Sequence, residues 1–372
     1  MNAKELWNFK YNAPILGIEL CDINNNGKLE IIAFTKNGML LFISLDGKLL
    51  HKELVSKNSP LWHMRIHDID NDGRHELVLG GMDGILRIFK CKSTYNLEPF
   101  WIHKFNSSIS GILIEDINDN NFNELIIFSL DKTLRVLNSL DGKLIWGQIF
   151  QDGIADAIVF KNNKKHNHKE ILACGNDGTI RCYEGVNGKL LWFKKYSDKM
   201  RVITYMNTIK GQLVLSGGDD KKLHVLNKLT QNEIKTLQFN NYVWKCVSYP
   251  FPILNNCLVS SYSFAYFNES IQIKNIEFTS KLACFNESFN TKWDLNGYNI
   301  ECLKIRKIYE RILIIVGTTK GNLLIIEEET GKIIFFGNYS SCINMTQICE
   351  EQRLIFTCHD NGTIIAHHLE KT

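Results

Sequence analysis

A unit of roughly 40 to 50 residues recurs along this chain, and a repeat of that period points to stacked copies of one supersecondary element. Three copies are plainest: IELCDINNNGKLEIIAFTKNGMLLFISLDGKLLHKEL from Ile18, MRIHDIDNDGRHELVLGGMDGILRIFK from Met64 and ILIEDINDNNFNELIIFSLDKTLRVLNSLDGKLIWGQIF from Ile112. Each reads as strand, polar loop, strand, tight turn, strand, tight turn, strand. Asn37-Gly38, Asp83-Gly84, Asp177-Gly178 and Asn361-Gly362 supply the positive φ angles that two-residue hairpins require between second and third strands. A second series, Asp46-Gly47, Asp141-Gly142, Asn187-Gly188 and Thr330-Gly331, joins third strands to fourth. No helical periodicity separates the strands, so the units are antiparallel blades rather than βαβ crossovers.

Full units fall at residues 15–54, 62–105, 109–150, 154–196, 200–239, 243–295 and 299–338, and Cys342 to Leu369 holds three further strands. The opening segment KELWNFKY matches the fourth strand KLLWFKKY that ends at Tyr196. The expected fold is therefore all-β: a closed β-propeller of eight four-stranded blades, or seven if the degenerate sixth or seventh unit is miscounted, with 1–372 as one domain. Residues 1–11 supply the outer strand of the last blade, which removes an open edge. Blade six departs from the repeat at 263–280, where a long segment replaces the two-residue turn and Ile271, Ile273, Ile276 and Phe278 alternate with polar residues, a hairpin-like pattern.

Composition narrows the setting. Hydrophobic residues make up 44% of the chain and prolines number five, enough for a core and too few for a Pro-rich linker. A formal net charge of +3 builds no nucleic-acid stripe, so no nucleic-acid partner is expected. No segment has the roughly 20 apolar residues of a spanning helix or the pattern of a signal peptide. The eleven cysteines include no CxxC pair, and several sit in strand-like runs, as small hydrophobes do. Together these features lead us to expect a soluble, cytoplasmic protein without membrane insertion.

The polar loops of the first three units offer the clearest chemistry. Asp22, Asn24, Asn26 and Glu30 in the first, and Asp68, Asp70, Asp72 and Glu76 in the second, place side-chain oxygens at positions 1, 3, 5 and 9 with glycine at 6. That spacing wraps a hard cation such as Ca²⁺. The second loop, with four carboxylates, is the stronger candidate and the first is weaker; the third has Asn121 in place of glycine. The same residues also build a tight turn through side-chain to backbone bonds without metal. In blade four the loop is KNNKKHNHKE, whose lysines repel a cation and whose His166 and His168 are expected in solvent. The loops of blades one to three resemble the FG-GAP repeats of integrin-α-type propellers, and the resemblance implies Ca²⁺ in them. The GKLLW segments resemble the tryptophan-docking pattern of quinoprotein-type (PQQ-like) repeats, in which Trp146 and Trp192 pack one blade on the next. Gly-His and Trp-Asp signatures of WD repeats are absent at regular spacing.

No acid, base and metal ligand gather near a common ring opening, so catalysis is not expected. Aromatic and cationic residues instead concentrate where inner strands begin: Trp62, Arg65, Arg201, Tyr242 and Trp244. These, with Tyr262, Phe264, Tyr266 and Phe267 at the blade-six insertion, are the expected protein-binding residues, since Trp, Tyr and Arg dominate binding hot spots. The leading reading is a non-enzymatic protein-interaction scaffold, a subunit of an intracellular assembly, that needs no cofactor beyond Ca²⁺. Two alternatives stand beside it: a PQQ-like or sugar-active propeller enzyme, and a Ca²⁺-dependent adhesion-type propeller.

Overall fold

Gly-containing turns and strands that are apolar from end to end shape the described residues into 32 strands, arranged as eight four-stranded sheets with every pairing antiparallel. The structure, a computed structural model, describes residues 2–57, 59–92, 95–161, 169–208, 211–248, 256–262 and 280–370. Blades 1 to 7 occupy 15–54, 61–104, 109–149, 154–195, 200–238, 242–296 and 300–338, and blade 8 joins 343–370 to 2–10. The first strands of successive blades pack side by side, except that the first strand of blade 7 meets the second strand of blade 6, and that of blade 8 (Ile343–Cys349) returns to that of blade 1 (Ile15–Cys21), so the ring is closed. The chain is thus an eight-bladed propeller, and the seven-blade count falls away.

Second strands such as Glu30–Thr35, Glu124–Ser129 and Leu354–His359 are buried at every residue, because both faces of each sheet are covered by neighbouring blades. Fourth strands alternate toward solvent. Eight apolar clusters result, one at each junction. Between blades 1 and 2, for example, Phe34 and Phe42 meet Leu61, Met64 and Leu79.

A directional contact locks four of these junctions. The indole Nε1 of Trp7 donates to the Leu45 carbonyl of the next blade at 2.9 Å. Trp101 does the same to Ser139 (2.8 Å), Trp146 to Gly185 (2.7 Å) and Trp293 to Glu328 (2.6 Å). Each ring lies over the glycine of the neighbour's turn between third and fourth strands. A Cβ on Gly188 would sit 2.5 Å from the Trp146 ring, so only glycine fits there. An extra residue in the strand, Leu6, Phe100, Ile145 or Lys292, immediately precedes each tryptophan, and this bulge turns the indole toward the next blade. Trp192, the other tryptophan read as a packing residue, lies against the core between blades 4 and 5.

Closure is a full strand pairing. Asn2–Lys10 runs antiparallel to Thr363–Glu370, from Asn2 opposite Glu370 to Lys10 opposite Thr363, and the Tyr11 N–H donates to the Gly362 carbonyl at 2.8 Å. Trp7, Phe9 and Tyr11 join the core between blades 8 and 1. Deleting residues 1–11 exposes an edge and this core together. Calorimetry should show a larger fall in Tm for the deletion than for Trp7→Ala. The point mutant removes a partly buried indole, worth up to about 3 kcal/mol or a few degrees in a chain of this length. An unchanged melting curve for the deletion would count against closure.

The closing blade also buries two histidines, His359 (1% exposed) and His367 (0%). Burial pulls His359 down to about 4 and lowers His367; the groups around them are Glu5, Lys10, the Tyr339 hydroxyl at 2.5 Å from His367 Nε2, and the Ser341 carbonyl. Both stay neutral when folded, so the unfolded chain takes up more protons. The stability they contribute is complete above the unfolded value near 6.5 and is lost as pH falls from there toward 4. Glu76 and Asp156, pushed up by burial to about 7 and about 6, act in the opposite sense. The histidine contribution is therefore read as a difference: Tm should fall more steeply between pH 6.5 and 4.5 in the parent than in His359→Gln with His367→Gln.

Candidate functional site

Every first strand carries one unpaired extra residue near its start, and these eight bulges form the rim of the central channel. In blade 2 the register steps from Leu61 opposite Gly81 to His63 opposite Gly80, leaving Trp62 without a partner. By the same count the other bulged residues are Leu16, Ser110, Ala155, Arg201, Trp244, Glu301 and Asn344. Some of them tie neighbouring blades together: Ser110 Oγ donates to the Ile154 carbonyl at 2.6 Å, and Asn344 Nδ2 to the Ile15 carbonyl at 2.9 Å. The rim lies on the face that also carries the turns between second and third strands, hereafter the turn face. The opposite, loop face carries the Asp-rich loops.

At the turn face a depression of about 260 Å³ is walled by Trp62, Ser110, Ala155, Arg201 and Trp244. Trp62 is 51% exposed. Arg201 is fixed by a bidentate pair with Asp219 at 2.8 and 2.6 Å and by Asn176 Oδ1 at 3.2 Å, so its guanidinium is pre-positioned. Its Cζ lies 5.9 Å from the Trp244 ring, and Trp244 in turn lies 5.7 Å from Tyr262. Tyr242 pairs in register with Tyr262, and Lys221 Nζ sits 6.0 Å from its ring. Of the residues expected to bind a partner, Trp62, Arg201 and Trp244 line this depression, Tyr262 lies beside Trp244 and Tyr242 stands opposite Tyr262. Arg65 is not at this depression. Three positions past the bulge, it lines a cavity at the other mouth. Phe264, Tyr266 and Phe267, with positions 263–279 of the insertion, lie outside the described residues, as do His166 and His168.

The channel holds charged groups that repeat counting did not single out. Burial pushes the Asp156 carboxyl up to about 6, against the Ile203 N–H (3.1 Å), the Ala157 N–H (2.9 Å) and the Lys245 ammonium, which favour its charged form. Glu301 is also raised by burial, with Lys245 again opposing. A charged residue inside an otherwise apolar inner strand was the available signal.

On the loop face, the second Asp-rich loop brings carboxylate oxygens of Asp68, Asp70 and Glu76 within 4.8 Å of one another. Those oxygens already have partners. Asp68 accepts the N–H groups of Asp72 (3.1 Å) and Gly73 (2.9 Å), and Asp72 accepts that of Arg74 (2.9 Å). The Lys90 ammonium is bound to Asp70 and lies 3.8 Å from Asp72. Glu76 accepts the Ile69 N–H at 2.9 Å. The first loop repeats the pattern with Asp22, Asn24, Asn26 and Glu30, whose carboxylate also takes the Tyr95 hydroxyl of blade 2 at 3.1 Å. Neighbouring loops are chained as well, Asn25 Nδ2 to the Gly73 carbonyl (3.0 Å) and Asn71 Nδ2 to that of Asn121 (2.7 Å). The glutamates at position 9 therefore serve the loop backbone with or without an ion.

Comparison with known proteins agrees with this architecture. Residues 139–248 match the model of the λ-carrageenase β-propeller domain, and residues 55–143 match that of kaptin, described as a KICSTOR complex protein. No curated protein matches the sequence. Among solved structures, the chain is similar to Sqt1 of Saccharomyces cerevisiae (TM-score 0.75, 10% identity, all of both chains covered). It is also similar to the designed protein Ika8 (0.74, 14%, 97% of this chain and 98% of that one) and to BamB of Moraxella catarrhalis (0.66, 14%, 99% and 100%). At such identities the likeness is one of fold, and the fold is a closed β-propeller.

Proposed function

We propose that this chain is a non-enzymatic protein-interaction scaffold, a cytoplasmic subunit of a larger assembly, and that it binds a protein partner through the turn face. The observation that carries this reading is the grouping of a half-exposed Trp62, Trp244 and a clamped Arg201 around one depression on the ring axis. Rigid aromatic anchors beside a pre-ordered guanidinium are what protein hot spots are made of. The kaptin match supports the reading, since kaptin is itself named for a complex. Eleven free thiols, ten of them buried, fit a reducing compartment. No helix among the described residues is long and apolar enough to cross a membrane. The λ-carrageenase match keeps the sugar-active alternative in view, but the carboxylate that burial raises inside the matched segment, Asp156, is engaged by the Ala157 N–H of its own blade and by the Ile203 N–H of blade 5.

The test is affinity purification with quantitative mass spectrometry on the intact chain and on Trp62→Ala with Trp244→Ala, each checked for folding by circular dichroism. Partners retained by the parent should fall by about tenfold or more in the double variant, as loss of two hot-spot aromatics implies. A partner captured equally by both would move the binding site off this face.

A second reading concerns the loop face. The approach of Asp68, Asp70 and Glu76 to one another favours weak Ca²⁺ binding in the second FG-GAP-like loop, with the first loop weaker still. Lys90 competes for the same oxygens. Calorimetric titration should give heat only at millimolar Ca²⁺, abolished in Asp68→Asn and strengthened in Lys90→Met. No heat and no thermal shift would leave the loop a hydrogen-bonded turn.

A further inference from the structure

Toward the loop face the channel is divided into two unlike walls. Three residues past each bulge the first strands present a common layer. Over blades 7, 8, 1 and 2 that layer is polar: Lys304, Gln347, Glu19 and Arg65. Over blades 3 to 6 it is Leu113, Ile158, Thr204 and Val247. Leu113, Ile158, Val159, Thr204 and Tyr205 wall a cavity of about 370 Å³ that Arg65, His67 and Glu115 also line, Glu115 being paired with Lys169 at 2.5 Å; Lys304 stands outside this lining, on the polar wall, where it is electrostatically coupled to Arg65. That volume lies in the range of about 300–1,000 Å³ usual for small-ligand sites.

The cations of the polar wall are short of partners. Among the described residues neither Arg65 nor Lys304 forms an ion pair, and Arg65 donates to the Met64 carbonyl at 2.9 Å. The carboxylate of Glu19 is instead bound by the Gln347 side chain. Arg306, farther along the strand, pairs with Glu350 at 3.3 Å. Burial favours the neutral form of Lys304 and of Glu19, so both charges are under-solvated where they stand. Two half-buried cations sharing one occupied carboxylate leave an electrostatic deficit that an incoming anion offsets.

We propose that the loop-face half of the channel binds a small amphipathic anion of the monocarboxylate class, with its carboxylate between Arg65 and Lys304 and its apolar body against Leu113, Ile158 and Tyr205. The apolar wall selects against a fully hydrated inorganic anion, and the cationic wall against a neutral apolar molecule. This site is separate from the turn-face depression and does not depend on the partner proposed there.

Isothermal titration of the full chain at constant ionic strength, with octanoate, inorganic phosphate and octanol as probes, tests the assignment. Octanoate should bind more tightly than either control. Lys304→Met should weaken it about tenfold, the loss expected for one charge-assisted hydrogen bond. Arg65→Gln, at the cavity edge, reads the same contact if Lys304→Met does not fold. No heat from octanoate, equal binding of phosphate, or undiminished octanoate binding in a folded Lys304 or Arg65 variant would each overturn the proposal.

Discussion

The seating of a fourth-strand indole on the neighbour's glycine turn is the contact on which the ring depends. It has one direction: each tryptophan reaches forward to the following blade, and Trp7 reaches forward across the junction to blade 1. Its parts are mutually required. The glycine leaves room for the ring, the carbonyl receives the N–H that would otherwise be buried unpaired, and the bulge before the tryptophan sets its aim. Apolar packing between blades is non-directional and would tolerate sliding; the indole bond fixes how far one sheet is turned against the next.

Most of the architecture was legible because propeller repeats write it in residues with strong local meaning. Asn-Gly and Asp-Gly pairs mark hairpins through their backbone angles, Gly38, Gly84 and Gly362 all having positive φ. The match of KELWNFKY to a fourth strand was readable because an outer strand must alternate toward solvent and carry its docking aromatic. The eight channel bulges were not readable. A bulge is a single residue out of register, and Leu16, Trp62, Ser110, Ala155, Arg201, Trp244, Glu301 and Asn344 share no chemistry that would flag it.

The same limit explains the site. Trp62, Arg201 and Trp244 were visible as residue types near strand starts, whereas Arg65 looked equivalent by proximity. It is separated from them by a bulge and three positions, enough to reach the other mouth of the channel. The loop glutamates were ambiguous for a different reason. An oxygen that accepts a backbone N–H in a tight turn stands where a cation ligand would stand, so Glu30 and Glu76 satisfy both descriptions at once.

Closure by Asn2–Lys10 also imposes an order on biosynthesis. The Lys10 side chain bonds to the carbonyl of Asn361, 351 positions later, so Asn2–Lys10 waits for a strand made long after it. Until then blades 1 to 7 can assemble in sequence through contacts between neighbours, while the segment bearing Trp7 and Phe9 trails unpaired from blade 1. Contacts of such span are late and slow to form. A nascent chain of this protein therefore carries an unsatisfied β-edge until Thr363–Glu370 has been made, a period in which chaperones or a neighbouring nascent copy compete with that later strand for Asn2–Lys10.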